Sequence, residues 1–504
     1  MEQAIARQPL ILVLMAFCTM LMLVPALHAA RLGDWFVLRT FLYHSIFFAI
    51  LTVMLGLGMA RQSRSKSASR HLLTLLQAYL ILPVMLSMPL NHLVPTITWS
   101  QAYFEMLSCL TTTGATLFRD PGALPDAVHT WRATVGWAGG LIILVAALAI
   151  LEPMKLGGFE IQASLDSSSP SQRRAMGGSG VGNERVIRLA RVILLPYTGL
   201  TFLLMLGLLT AGDRAFVALN HAMSVLATSG ITPLQNLEQS NSGRIGEVLV
   251  FLFLLVAINH RLLNSEYRIK MFLSRKLDPE FKIALACLII IPTMLLLRHF
   301  FAALDIAEQE NFGAAIRAFW GGMFNVLSFL TTTGFESADW DDARNWSGLG
   351  APGLILLALC LMGGGIATTA GGVKLLRVYA LYKHGRREMG RLIYPHSVGG
   401  SGISARQIRR EGARVAWIFL MLFMVGIAVC MLALTAVGQG FDSAMTLSIA
   451  SLTNTGPAAL LLGTRIDYMA MDYVTRAILC IAMIIGRMEA LVVIALLSSG
   501  FWRQ

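Results

Sequence analysis

Thr111-Thr112-Thr113-Gly114 and Thr331-Thr332-Thr333-Gly334 are the same four residues at two places in one chain. Two degenerate copies, Ala227-Thr228-Ser229-Gly230 and Thr453-Asn454-Thr455-Gly456, complete a set of four. Each copy closes a short apolar segment (101–110, 214–226, 314–330 and 441–452), and each is followed by a long apolar run. A single Ser/Thr-Gly pair is ordinarily a helix stop. Four copies at near-equal spacing mark an internal repeat. A cation crossing a bilayer must exchange its water shell for oxygens, and four short extended backbones around one axis supply carbonyls for that exchange. Glycine's access to positive φ lets a neighbouring carbonyl turn toward the axis. A short helix ending at each motif aims the negative end of its dipole at the same point.

The composition demands a membrane for such a backbone. Of 504 residues, 56% are hydrophobic and 13% charged, with a mean hydropathy of +0.66. Apolar runs long enough to cross a bilayer as helices recur at 9–29, 36–60, 71–90, 133–151, 187–211, 246–263, 283–304, 350–370, 414–437 and 474–500. The chain therefore reads as an all-α polytopic membrane protein, and the soluble enzyme classes fall away. Its net charge of +12 does not point to nucleic acid. With the N-terminus inside, every lysine and most arginines fall in inner loops, which is the positive-inside bias that sets topology. The six cysteines sit singly in apolar segments and the ten histidines lack ligand spacing, so no disulfide framework or metal cluster is expected. No Walker A or GxGxxG sequence occurs, and no cofactor is expected in this chain.

The repeats divide the chain into two N-terminal spans (1–62), repeat one (63–154), a cytoplasmic linker (155–183), repeat two (184–276), repeat three (277–384) and repeat four (385–504). Each repeat is expected to be a helix, a re-entrant pore loop and a returning helix, the four in a pseudo-fourfold arrangement. The linker holds Ser167-Ser168-Ser169-Pro170 and Gly177-Gly178-Ser179-Gly180, a composition suited to flexibility.

Two further stretches carry chemistry. In repeat three, Gly363-Gly364-Gly365-Ile366-Ala367-Thr368-Thr369-Ala370-Gly371-Gly372 has five glycines in ten residues. Such a run disfavours helix by about 1 kcal/mol per glycine and is expected to unwind below the pore loops as a gate. Arg487 falls about ten residues into the apolar run 477–501, a costly place for a charge and therefore a functional one. Glu489, two residues on, points to another helix face and is a poor partner for it. Glu105, Glu336, Asp339 and Asp442 are candidates for concentrating cations near the pore.

On these residues the chain resembles the Trk/Ktr/HKT superfamily of potassium transporters, most closely the TrkH type of pore subunit. The resemblance rests on the glycine motifs, on Thr369-Ala370-Gly371-Gly372-Val373-Lys374, Asp278-Pro279-Glu280-Phe281 and Gly486-Arg487-Met488-Glu489, and on Phe501-Trp502-Arg503. It implies potassium selectivity governed by Gly114, Gly230, Gly334 and Gly456. It implies ion sites lined by Thr112, Thr113, Thr228, Ser229, Thr332, Thr333, Asn454 and Thr455. It also implies a gating loop of Gly363, Gly364, Gly365, Thr368, Thr369, Gly371 and Gly372, held by Lys374 and opposed by Arg487. A homodimer in the bacterial inner membrane, over a TrkA-like cytoplasmic nucleotide-binding subunit, is the assembly it implies. The chain departs from the family pattern at Ile231, at Pro457-Ala458, at Ala257-Ile258 and at Glu152. Two rival readings are a sodium- or proton-coupled symporter with alternating access and a membrane hydrolase using Glu152 or Glu489. The first calls for inverted repeats, whereas these four run in one orientation; the second lacks a nucleophile–base pair.

Overall fold

A computed structural model describes residues 8–59, 68–118, 120–154, 156, 158–159, 183–235, 237–259, 278–302, 312–393, 403–463 and 466–489. Most of the 155–183 linker and the Phe501-Trp502-Arg503 motif lie outside the described residues. All regular structure among the described residues is helical. Helices α1 (Leu10–Leu21), α2 (Leu23–Leu32) and α3 (Trp35–Met59) precede the first repeat. The segment expected as repeat one holds α4 (Ala68–Leu93), the short helix α5 (Trp99–Leu110), expected as a pore helix, and α6 (Asp126–Ala146), and the other expected repeats follow in the same order. Repeat two comprises α7 (Asn183–Thr210), α8 (Ala215–Ala227) and α9 (Gly243–Leu254). Repeat three runs through α10 (Pro279–Ala302), α11 (Phe312–Leu330), α12 (Trp340–Ser347), α13 (Gly353–Met362) and α14 (Leu375–Ile393). Repeat four has α15 (Ile403–Ala436), α16 (Phe441–Leu452) and α17 (Tyr473–Met488).

Seven helices among the described residues are long and apolar enough to cross a membrane. Three expected spans, 246–263, 350–370 and 474–500, are not continuous helices over their described parts. All three are returning helices, and the fourth returning helix is irregular at its inner end too. Thus α6 passes into a π-helical turn at Ala147–Leu151 and α9 into a 3₁₀ turn at Leu255–Ile258. Helix α13 stops at Gly363 (φ 69°), and α17 ends at Met488, with Glu489 at φ 66°. Arg487 therefore closes a helix and does not sit in the middle of one. In lipid such breaks persist only where protein or a water path satisfies the freed backbone groups.

The pore helices start and stop for legible reasons. Thr98 and Gln101 form a reciprocal capping box at the start of α5, the Gln101 side chain accepting the Thr98 N–H at 2.7 Å. Glycine lets the returning helices sit on the pore-helix ends. A Cβ at Gly139 would strike the Leu110 carbonyl, and one at Gly486 would strike that of Leu452. The C-terminal ends of all four short helices are buried.

Candidate functional site

Each pore helix ends in the same backbone figure. Thr112, Thr228, Thr332 and Asn454 all take left-handed conformations, at φ 53°, 49°, 56° and 54°. For a β-branched threonine this region is a rare outlier, costing about 1–3 kcal/mol per residue, and it persists only where the surroundings over-determine it. Here the constraint is repeated four times. The N–H of the following residue turns back to the pore helix in every copy: Thr113 to Ser108 O (2.8 Å), Ser229 to Ser224 O (3.0 Å), Thr333 to Ser328 O (2.9 Å) and Thr455 to Ala450 O (2.8 Å). Hydroxyls of those same four residues tie back as well, Thr113 to Thr111 (2.8 Å), Ser229 to Ser224 (3.1 Å), Thr333 to Thr331 (3.1 Å) and Thr455 to Thr453 (3.2 Å). Donors thus face outward. Among the described residues no donor reaches the main-chain oxygens of Thr112, Thr228, Thr332 or Asn454.

The four glycines close these segments into a ring. A Cβ on Gly114 would collide with the Ser229 carbonyl, and one on Gly230 with that of Thr333. A Cβ on Gly334 would lie 2.8 Å from the Pro457 ring, and one on Gly456 would collide with Ala115 N. Repeat one touches two, two touches three, three touches four, and four returns to one. Gly114, Gly230 and Gly334 also need positive φ (73°, 64° and 81°). Gly456 does not; its N–H instead donates to Thr113 O at 2.5 Å. The departure at Pro457 has a structural role, since its ring fills the space that Gly334 leaves.

Directly against this ring lies the glycine-rich segment of repeat three. Its two ends are pinned together by Val373 N to Leu361 O and Lys374 N to Met362 O, both at 2.9 Å. Gly363 and Gly372 come so close that neither admits a side chain. The tip reaches three motifs. Thr369 Oγ1 accepts from Thr228 Oγ1 at 3.0 Å, Gly371 N donates to Thr332 Oγ1 at 2.8 Å, and a Cβ at Gly371 would strike the Thr453 carbonyl. Gly364 and Gly365 pack on the carbonyls of Ala257 and Ile258, at the departure in repeat two. Within the loop, Thr368 donates to Gly365 O at 2.7 Å and the Lys374 ammonium to Ala370 O. From the opposite side Arg487 donates to Thr369 O at 2.6 Å, while among the described residues its Nε and Nη2 meet no hydrogen-bond acceptor. A buried guanidinium is costly to desolvate.

Several supporting residues escaped the sequence reading. Glu280, in the quoted Asp278-Pro279-Glu280-Phe281 motif, accepts the Ile366 N–H of the loop at 2.9 Å. Glu489 pairs with the buried Arg377 at 2.8 Å, and the Arg377 guanidinium lies 3.7 Å from the Phe419 ring centre. Glu152 pairs with Arg185 at 3.1 Å. Both carboxylates named for the hydrolase reading are therefore engaged in ion pairs. Glu105 is corrected too: it does not concentrate cations. Fully buried, it holds Arg132 at 2.6 Å and accepts the Leu117 N–H at 2.8 Å. Asp339 is buried against Arg244 at 3.1 Å. Beyond the third motif, burial pushes the Glu336 carboxyl above its ordinary range, with Asp341 adding to the shift and Arg344 opposing it. Removing the Glu105 charge strands Arg132, and breaking a buried pair costs about 3–5 kcal/mol. Glu105→Gln is therefore expected to lower the thermal stability of the detergent-solubilised protein markedly. Glu152→Gln, at a more exposed pair, should leave it nearly unchanged.

A profile of the TrkH family, described as cation transport protein, matches residues 39–502. The chain belongs to the TrkH family. It is 30% identical over 418 residues to the Trk system potassium uptake protein TrkH of Salmonella typhimurium, covering 81% of each chain. To the corresponding TrkG of Escherichia coli K12 it is 27% identical over 415 residues, covering 81% of this chain and 80% of the relative. Its fold superposes on the crystal structure of the potassium transporter TrkH from Vibrio parahaemolyticus with a TM-score of 0.77, at 26% identity and 99% coverage of both chains. Membership in TrkH makes this a multi-pass transporter and not an enzyme, in keeping with its seven membrane-length helices.

Proposed function

We propose that this chain takes up potassium across the bacterial inner membrane, through a ring of main-chain oxygens from residues 112–114, 228–230, 332–334 and 454–456. One observation carries the reading: four copies of a strained left-handed residue, each followed by an N–H bonded back to its own helix, joined by side-chain-free contacts at four glycines. That arrangement offers oxygens of neutral peptide groups at a fixed spacing, which suits a monovalent cation that must bind and leave quickly. The likeness to potassium uptake proteins supports potassium as the ion. Thr369 and Gly371 place the glycine-rich loop against the inner side of that ring, and Arg487 adds a fixed positive charge to it. The loop with Lys374 and Arg487 is the gate. Inward movement is driven by the membrane potential, worth about 2.3 kcal/mol per charge per 100 mV.

Within a Trk system the pore works with other proteins. We take the assembly to be a homodimer with one filter in each protomer, resting on a TrkA-like nucleotide-binding subunit docked on the basic inner loops. The division into four pore repeats between 63 and 504, with the linker at 155–183, belongs to the same proposal. Gly114→Ser tests the filter. Its φ of 73° disfavours a side chain, and the Cβ meets the Ser229 carbonyl, so the ring must widen on that side. Sodium flux into liposomes should rise relative to potassium by roughly tenfold, an effect of about 1.4 kcal/mol. Unchanged discrimination would remove Gly114 from the filter.

A further inference from the structure

Glu247 lies on α9 of repeat two, is 3% exposed, and forms no ion pair among the described residues. Its carboxylate accepts three hydrogen bonds, all from repeat three: Trp320 Nε1 at 2.9 Å, Ser337 Oγ at 2.9 Å and Ala338 N at 2.7 Å. Trp320 belongs to the pore helix α11, whereas Ser337 and Ala338 follow the third filter glycine, Gly334, by three and four residues. A carboxylate buried among neutral donors is stable only when its lone pairs are met, and charge-assisted bonds of this kind are about twice as strong as neutral ones. Glu247 therefore grips the outgoing strand of one repeat from the returning helix of another.

Other contacts converge on the same seam. One turn earlier on α9, Arg244 reaches Asp339 at 3.1 Å. Asn325 of α11 accepts the Ser337 N–H at 2.9 Å, fixing from the pore helix the residue that Glu247 holds from outside. Phe335, next to Gly334, stacks edge-on against His221 of pore helix α8, and His221 in turn contacts Thr232 at 2.9 Å in the outgoing strand of repeat two. The strand from Gly334 to Asp339 is thus anchored to both neighbouring elements within five residues of the ring. In repeat one the corresponding strand is held within its own repeat, by Glu105 and Arg132 at Thr116 and Leu117.

We propose that Glu247 is a positioning residue for ion discrimination. By fixing residues 337–338 across the seam between repeats two and three, it sets the spacing between the Gly230 and Gly334 segments of the ring. It touches no ion; it acts through the third strand. This rests on the potassium filter reading above. Without the carboxylate the seam relaxes, the ring adapts to a smaller ion, and sodium is rejected less.

The test is the reversal potential of purified protein in planar bilayers, with potassium on one side and sodium on the other, for wild type, Glu247→Gln and Trp320→Phe. Reversal potential does not depend on how many molecules are active, so a variant that merely folds poorly loses current without moving it. Glu247→Gln turns an amide toward donors that need an acceptor. It should lower the potassium-to-sodium permeability ratio roughly tenfold, the worth of one charge-assisted hydrogen bond. Trp320→Phe removes a single donor and should lower the ratio by a smaller factor, on the order of threefold. Should Glu247→Gln not assemble, Trp320→Phe decides. A wild-type ratio in Trp320→Phe, or in an assembled Glu247→Gln, overturns the role of Glu247. A wild type that does not discriminate at all refutes the filter reading instead, and the two failures are thereby separable.

Discussion

Replacing Arg487 with alanine should raise the basal potassium flux of the isolated protein by about two orders of magnitude. The guanidinium is buried and holds the loop through Thr369 O. A cation leaving the ring meets that charge. At an effective dielectric of about 20 and a separation of about 6 Å, the repulsion is roughly 3 kcal/mol, and each 1.4 kcal/mol is a factor of about ten. Alanine also removes the bond that pins the loop tip. Flux of a potassium tracer into liposomes, with no regulatory subunit present, measures the sum of both effects. Lower flux in the variant would show that Arg487 serves to hold the filter and does not obstruct it.

Gly230→Ala should abolish transport, at least a hundredfold down, while the protein remains assembled. Gly230 has φ 64°, and a Cβ there collides with the Thr333 carbonyl and crowds the Pro457 ring at 3.2 Å. Neither neighbour can yield, since the Thr333 N–H is fixed to Ser328 O and Pro457 fills the gap beside Gly334. The left-handed conformation alone costs a non-glycine residue about 1 kcal/mol or more. Gly199→Ala is the matched control. It lies in α7 with nothing near its Cβ position, and alanine there should leave flux unchanged and favour the helix slightly. Equal flux from the two variants would mean that the ring tolerates a side chain.

The sequence made the four-glycine ring legible because its constraint is local. A glycine four residues into each motif, behind a short apolar helix, is visible without any knowledge of what it touches. The unwound loop at 363–372 was readable for the same reason, since five glycines forbid a helix whatever surrounds them. What could not be read is pairing over distance. Glu280 meets Ile366 across 86 residues, and Arg377 meets Glu489 across 112. No periodicity links such positions. Glu105 was misjudged because a carboxylate on a pore helix has the same local sequence whether it faces ions or Arg132. The apolar run 474–500 suggested one continuous helix, and hydropathy does not register the left-handed residue at Glu489 that ends α17. The strained threonines at 112, 228 and 332 were equally hidden, because nothing in Thr-Thr-Thr-Gly or Ala-Thr-Ser-Gly announces positive φ at the second residue.

The central claim is that neutral peptide oxygens from four segments of one chain select a dehydrated potassium ion. Its most direct test is the current–voltage relation of the purified wild-type protein, with potassium as the sole cation on one side of a bilayer and sodium on the other. The four-segment filter predicts a large bi-ionic reversal potential, of the sign set by potassium diffusing out of its own compartment and unmoved by an added proton gradient. Zero current near 0 mV, or a value that follows the proton or sodium gradient, would contradict it.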